Sequence, residues 1–117
     1  MIDGKSAEAY ALDYLCTQKL VFVEKNYRCR GGEIDLIMLD DSDLVFIEVK
    51  FRSYSGYGTA AEMVSVAKQR KIIHATQVFL ANHTKYANFN CRFDVFAIEG
   101  KQKETMNVSW IKNAFLS

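Results

Sequence analysis

The sequence has no proline, a single tryptophan, and no uninterrupted run of apolar side chains longer than four residues. Without proline, turns must come from Gly, Asn, Asp and Ser. A bilayer-spanning helix needs about 20 apolar residues, so no membrane span is expected. The first 30 residues lack the apolar stretch of about 7–15 residues that marks a signal peptide. Charge of one sign is missing too: 15 Lys and Arg stand against 14 Asp and Glu, a net of +1. The total therefore says nothing about a polyanionic partner. Cysteine is sparse, at positions 16, 29 and 91, with no CxxC pair. A zinc knot and a disulfide framework are both disfavoured by that odd, dispersed count. Three free thiols suit a reducing cytosol, so the expected location is cytoplasmic. The thiols themselves read as small core hydrophobes.

What is present is the composition of one compact domain. The 117 residues are 50% hydrophobic, 25% charged and 13% aromatic. That excludes disorder, collagen-like repeats and coiled coil, and a single domain over residues 1–117 is expected. Charge is unevenly spread. Between Lys19 and Arg30 there are four basic residues and one acid, and between Lys50 and Lys71 five and one. Acids gather between Glu33 and Glu48. A local basic surface is compatible with the neutral total.

Periodicity predicts a helix over residues 5–18 and a strand over 20–28, with Gly31-Gly32 as a tight turn. Two strong strands follow over 33–39 and 44–52, around Asp40-Asp41-Ser42-Asp43. A Gly-containing loop is expected over 53–59, then one long helix over 61–82. Strands over 91–98 and about 104–109 complete the order αβββαββ, with a short helix expected after Trp110. The fold class is α/β, a central five-stranded sheet, mostly antiparallel, flanked by helices. In the middle hairpin, Ile34, Leu36, Met38, Val45, Ile47 and Val49 mark one face, and Ile37, Leu39, Leu44 and Phe46 the other. A hairpin apolar on both faces belongs at the centre of a covered sheet.

If Asp40 to Asp43 close that hairpin, Leu39 faces Leu44, Ile37 faces Phe46 and Leu36 faces Ile47, apolar against apolar throughout. The next pairs are Asp35 with Glu48 and Glu33 with Lys50. Opposed residues have Cβ atoms about 4.5–5.5 Å apart. Two carboxylates near that distance repel by roughly 3 kcal/mol at an effective dielectric of about 20. Relief comes from a proton, a basic neighbour or a divalent cation. Oxygen ligands favour Mg²⁺ or Mn²⁺ over zinc, and Lys50 could then stabilise developing charge. Ordinary ion pairing fits the spacing as well. A two-residue Gly31-Gly32 turn would set Arg30 opposite Glu33 and Arg28 opposite Asp35. Two polar intrusions favour a shared site: Glu8 lies on the stripe of Leu12 and Leu15, and Gln69 sits between Val66 and Ile73 on another.

The blocks Gly31-Gly32-Glu33-Ile34-Asp35-Leu36-Ile37 and Val45-Phe46-Ile47-Glu48-Val49-Lys50-Phe51-Arg52, with Gly58, Glu62, Lys68 and Arg92-Phe93-Asp94-Val95, resemble the bacterial YraN-like family over roughly residues 4–98. That family is similar to the restriction-endonuclease-like superfamily with its D…ExK motif, and to archaeal Holliday-junction resolvases. The resemblance implies a restriction-endonuclease-like sandwich with a mixed central sheet, and a metal-dependent DNA endonuclease acting on branched or damaged DNA. The alternative is a catalytically weak nucleic-acid-binding or scaffold protein that keeps the fold. Asp35 and Glu48 match the metal-binding carboxylates, the Val49 carbonyl a further ligand, and Lys50 the catalytic lysine. Glu8 matches a first-helix glutamate that completes such sites, and Gln69 a helix glutamine. The implied cofactor is Mg²⁺ or Mn²⁺. The implied partners are DNA and a homodimer mate or another protein supplying specificity. Lys19 stands where the family usually has Gly, and Ala60 where it usually has Pro.

Arg28, Arg30, Arg52, Lys68, Arg70 and Lys71 are candidates to track a phosphate backbone, or else a solvated face. Tyr54 and Tyr57 could stack on bases or pack on their own domain. His74 and His83 lack ligand spacing. Trp110 is expected to pin the C-terminal segment onto the core.

Overall fold

The computed structural model describes residues 4–52, 64–100 and 107–116. The elements are α1 (Gly4–Thr17), β1 (Val21–Cys29), β2 (Gly32–Asp40), β3 (Asp43–Arg52), α2 (Val66–Asn82), β4 (Asn90–Glu99) and β5 (Asn107–Phe115), with a 3₁₀ turn at Thr84–Tyr86. The strands form one open sheet in the order β1-β2-β3-β4-β5. All neighbours are antiparallel except β3 and β4, which run parallel. The expected αβββαββ order and mixed sheet are therefore present. Among the described residues, no helix is long and apolar enough to cross a membrane. The expected loop over 53–59, with Tyr54 and Tyr57, and the first residues of the long helix lie outside the described residues.

The central hairpin has the register that its apolar pattern demands: Leu36 faces Ile47, Ile37 faces Phe46, Leu39 faces Leu44, and Asp40 faces Asp43. Asp41 takes a left-handed φ of 55° in the two-residue turn, a conformation Asp tolerates better than most side chains. One face of the sheet packs on α2 through Ile37, Leu44, Phe46, Ile72, Ala75 and Phe79. The other packs on α1 through Ala7, Ala11, Leu15, Leu36, Met38, Val45 and Ile47. The spacing of Ala7, Ala11 and Leu15 is one side of a helix. Phe46, Phe79 and Phe96 are among the largest fully buried side chains, each contributing about 1.5–3 kcal/mol by burial.

Helix α1 ends in a Schellman motif. Leu20 N–H donates to Leu15 O (3.1 Å) and Lys19 N–H to Cys16 O (3.0 Å), with Lys19 at φ 72°. Leu15 and Leu20 then meet in the core, as this motif favours.

Several expectations fail, each for a physical reason. The segment after Trp110 is strand, not helix: β5 continues to Phe115 because Ile111 and Phe115 pair with Val95 and Phe93. Helix α2 begins at Val66, where Ser65 caps it by accepting the Lys68 N–H at 3.1 Å. Val66 itself is exposed, so the stripe expected through Gln69 starts later. The β1–β2 turn is Arg30-Gly31, since Cys29 faces Gly32 and Arg28 faces Glu33. Gly31 supplies a φ of +84°, and Gly32 lies so close to α2 that a Cβ would collide with the Lys71 carbonyl. Ile34 packs toward α2 while Leu36 packs toward α1, opposite faces where strict alternation had put them together. The thiols are not core residues: Cys16 and Cys91 are exposed, Cys29 is half-buried, and all are free.

Candidate functional site

The regular pairing of β2 with β3 ends at Leu36 and Ile47. Beyond it the sequence supplies Asp35 on one strand and Glu48 and Lys50 on the other. The Asp35 carboxylate reaches across, and its Oδ2 accepts the Val49 N–H at 2.9 Å. A side chain thus takes a strand amide that a backbone carbonyl would otherwise satisfy, which anchors Asp35 beside Glu48. The switch of faces between Ile34 and Leu36 occurs at this same residue.

Glu48 is only 4% exposed, and its Oε1 is buried without a hydrogen-bond partner. Its Oε2 lies 3.7 Å from Lys68 Nζ and 3.9 Å from Lys50 Nζ. Burial, and then the adjacent Asp35 charge, push its pKa up to about 8, although Lys68 and Lys50 pull the other way. Burial and the neighbouring Asp35 charge thus outweigh the pull of the two nearby ammonium groups.

Glu8 projects from α1 into a cleft of about 150 Å³ with Leu12, Asp13, Lys25, Asn26 and Leu36. Its pKa is raised by burial and then by Asp35. Asp35 thus feels Glu8 as well as Glu48. Glu33 bridges two cations: Oε1 accepts from Lys68 Nζ at 2.9 Å, and Oε2 lies 3.5 Å from Arg28 Nη1. The Lys68 hydrogen bond and charge hold the Glu33 pKa below the usual carboxylate range.

The structure therefore gathers Glu8, Asp35, Glu48 and Lys50 at one end of the sheet. It adds Lys68, which spacing alone grouped with phosphate-tracking residues. Lys68 enters because α2 starts at Val66 and lays its first turn over the ends of β2 and β3. No strand periodicity signals that. Gln69 donates its amide to Val64 O at 3.0 Å, at the entry to α2. Arg30, Arg70 and Lys71 are exposed, and the side chain of Arg52 lies outside the described residues. His74 Nε2 donates to Arg30 O at 3.0 Å, and His83 stacks on Phe79. Neither histidine joins the site.

Among the described residues, no group of three His, Cys, Asp or Glu side chains stands in metal-holding geometry. The donor chemistry fits a hard cation all the same. Asp35 and Glu48 are adjacent oxygen donors, and one Glu48 oxygen is buried without a partner.

A second carboxylate cluster occupies the other end of the hairpin. Arg92 is bonded to Asp94 (Nε–Oδ1 3.0 Å), Asp40 (Nη2–Oδ2 3.0 Å) and Asp43 (Nη1–Oδ2 3.3 Å). Asp94 also accepts from Trp110 Nε1 at 2.9 Å and the Asn113 N–H at 3.1 Å. This is the expected pinning of the C-terminal segment by Trp110.

Residues 7–98 match the model of an uncharacterised protein family, UPF0102. A UPF0102 protein of Pseudomonas syringae pv. syringae is 48% identical over 112 residues, covering 96% of this chain and 91% of the relative. One from Stutzerimonas stutzeri is 46% identical over 114 residues, covering 97% and 94%. One from Pseudomonas putida is 41% identical over 112 residues, covering 96% and 90%.

Proposed function

The chain belongs to the uncharacterised protein family UPF0102. From its side chains we propose that it is a divalent-metal-dependent phosphodiesterase, and from the resemblance of its Asp35…Glu48-Val49-Lys50 motif to the restriction-endonuclease-like superfamily that it is an endonuclease acting on branched or damaged DNA. The observation that carries the reading is Glu48. It is a buried carboxyl with an unpartnered oxygen, beside a second carboxylate and two lysines, its pKa raised to about 8. Perturbed groups of this kind concentrate where chemistry is done.

Asp35, Glu48 and the Val49 carbonyl would hold the cation, Mg²⁺ or Mn²⁺, with Glu8 on the α1 side. Once bound, such an ion supplies Lewis acidity toward a phosphodiester and lowers the pKa of a water. The protein's own groups do the rest. Glu48 would act as a ligand in its ionised form, its proton lost to solvent. Asp35 is positioned by the Val49 N–H. Lys50 and Lys68 present ammonium groups to the negative charge that grows on phosphorus oxygens as water attacks and the P–O bond to the leaving sugar breaks. Arg28, Arg30, Arg52, Arg70 and Lys71 would track the backbone.

The test compares wild type with Glu48→Ala on duplex, single-stranded, flap and four-way-junction DNA, each with Mg²⁺, Mn²⁺ or EDTA. Metal-dependent cleavage is expected from wild type, with a loss of at least about 10²–10³-fold in the variant. Cleavage by both alike would mean a contaminant and sink the assignment. DNA binding without cleavage by either would leave a binding or scaffold protein.

A further inference from the structure

The β1–β2 turn is locked onto α2. His74 holds the Arg30 carbonyl, and Gly32 approaches the Lys71 carbonyl too closely to admit a side chain. Beside this contact lies a preformed cleft of about 290 Å³ lined by Arg28, Cys29, Gly31, Gly32, Glu33 and Lys71. Its two cations, Arg28 and Lys71, are exposed. Its lone anion is Glu33, which binds Arg28 with one oxygen and Lys68 with the other. Lys68 in turn stands 3.7 Å from Glu48. Glu33 therefore ties a cation of the cleft to a cation of the carboxylate site.

A carboxylate between a guanidinium and an ammonium makes the contacts that a phosphate makes. We propose that Glu33 stands in for a backbone phosphate of the nucleic-acid strand, and that an entering strand seats a phosphate on Arg28 and Lys71 and displaces it. Lys68 is then released toward Glu48. Strand binding is thereby coupled to the position of Lys68 beside Glu48. The inference rests on the DNA-substrate reading above and gives Glu33, which neither spacing nor resemblance explained, a definite role.

The test measures binding of short fluorescein-labelled duplex and single strands by anisotropy, in EDTA and again in Ca²⁺. Wild type is compared with Glu33→Gln, Arg28→Ala, the double variant, Lys71→Ala and Asp41→Asn. Asp41→Asn makes the same charge change at the far end of the sheet, where Asn suits the positive φ. Glu33→Gln should tighten binding by up to about fivefold, the factor equivalent to one exposed ion pair, and Asp41→Asn should not. The gain should vanish in the Arg28→Ala background. Lys71→Ala should reduce the logarithmic salt slope by about 0.9. Equal gains from Glu33→Gln and Asp41→Asn, or a gain that survives Arg28→Ala, would overturn the inference. If wild type cuts DNA while Glu33→Gln changes nothing, this inference alone fails. If the Glu33 effect appears but no condition gives cleavage, the endonuclease reading fails and the phosphate seat stands. No binding by any variant overturns both.

Discussion

At the closed end of the β2–β3 hairpin, one guanidinium collects three carboxylates. Arg92 bonds Asp40, Asp43 and Asp94, and Trp110 and the Asn113 amide complete the last of these. At the open end, roughly 17 Å away along β3 at strand rise, Asp35 and Glu48 face each other with two lysines close by and one oxygen still orphaned. Both clusters are partly buried and both are rich in acids. Asp94 is fully buried, yet every interaction around it is met, so the cluster reads as a clamp joining the hairpin, β4 and β5. Buried charge alone does not mark a site. An unmet valence does.

That contrast can be broken by substitution. The largest effect is expected at the clamp. Asp94→Ala leaves Arg92 its bonds to Asp40 and Asp43 but removes the acceptor of Arg92 Nε, Trp110 Nε1 and the Asn113 N–H, and should cost about 3–5 kcal/mol of stability, read from urea unfolding. If it costs under about 1 kcal/mol, the clamp is no more structural than the opposite end.

The open end should respond in the opposite direction. In the folded protein the Glu48 pKa is pushed up to about 8 from its ordinary 4.5. The folded state holds the extra proton, so this group's contribution to stability is full below about pH 4.5 and is lost as pH rises through about 8. Glu48→Gln escapes that loss. Its stability relative to wild type, measured without divalent metal, should therefore grow between those pH values, by on the order of 3 kcal/mol. A difference that stays flat with pH would show Glu48 to be an ordinary ion-pair member.

A position at neither end calibrates the scale. Lys19 sits at φ 72° in the Schellman turn, where glycine carries no Cβ penalty. Lys19→Gly should raise stability by about 0.5–1 kcal/mol in thermal unfolding, with no change in pH dependence.

The hairpin core was legible because residues 36–39 and 44–47 are apolar without a break, and only one register matches them. Asp35, Glu48 and Lys50 followed from that register by counting. Other features depend on what lies above the sheet. Gly32 looked like half of a turn, yet it is small because α2 passes over it. The side-chain direction changes around Asp35, whose carboxylate takes the Val49 amide. Lys68 looked like a surface charge because its partners, Glu33 and Glu48, are 35 and 20 residues distant. The β5 strand resembled the start of a helix because its inward residues, Ile111 and Phe115, are spaced irregularly around a break in register between Phe93 and Val95.

The parallel pairing of β3 with β4 also sets the order in which the molecule can assemble. Strands β1 to β3 are joined by tight turns and need to close only short loops. Pairing β4 beside β3 requires the chain from Arg52 to Asn90 to return on itself, a far more remote contact in sequence and hence slower to form. Asp35 and Glu48 come together with the early hairpin, whereas Lys68 arrives with the late crossover. During folding the two acids therefore meet with Lys50 beside them on β3, before their second lysine, Lys68, arrives with α2.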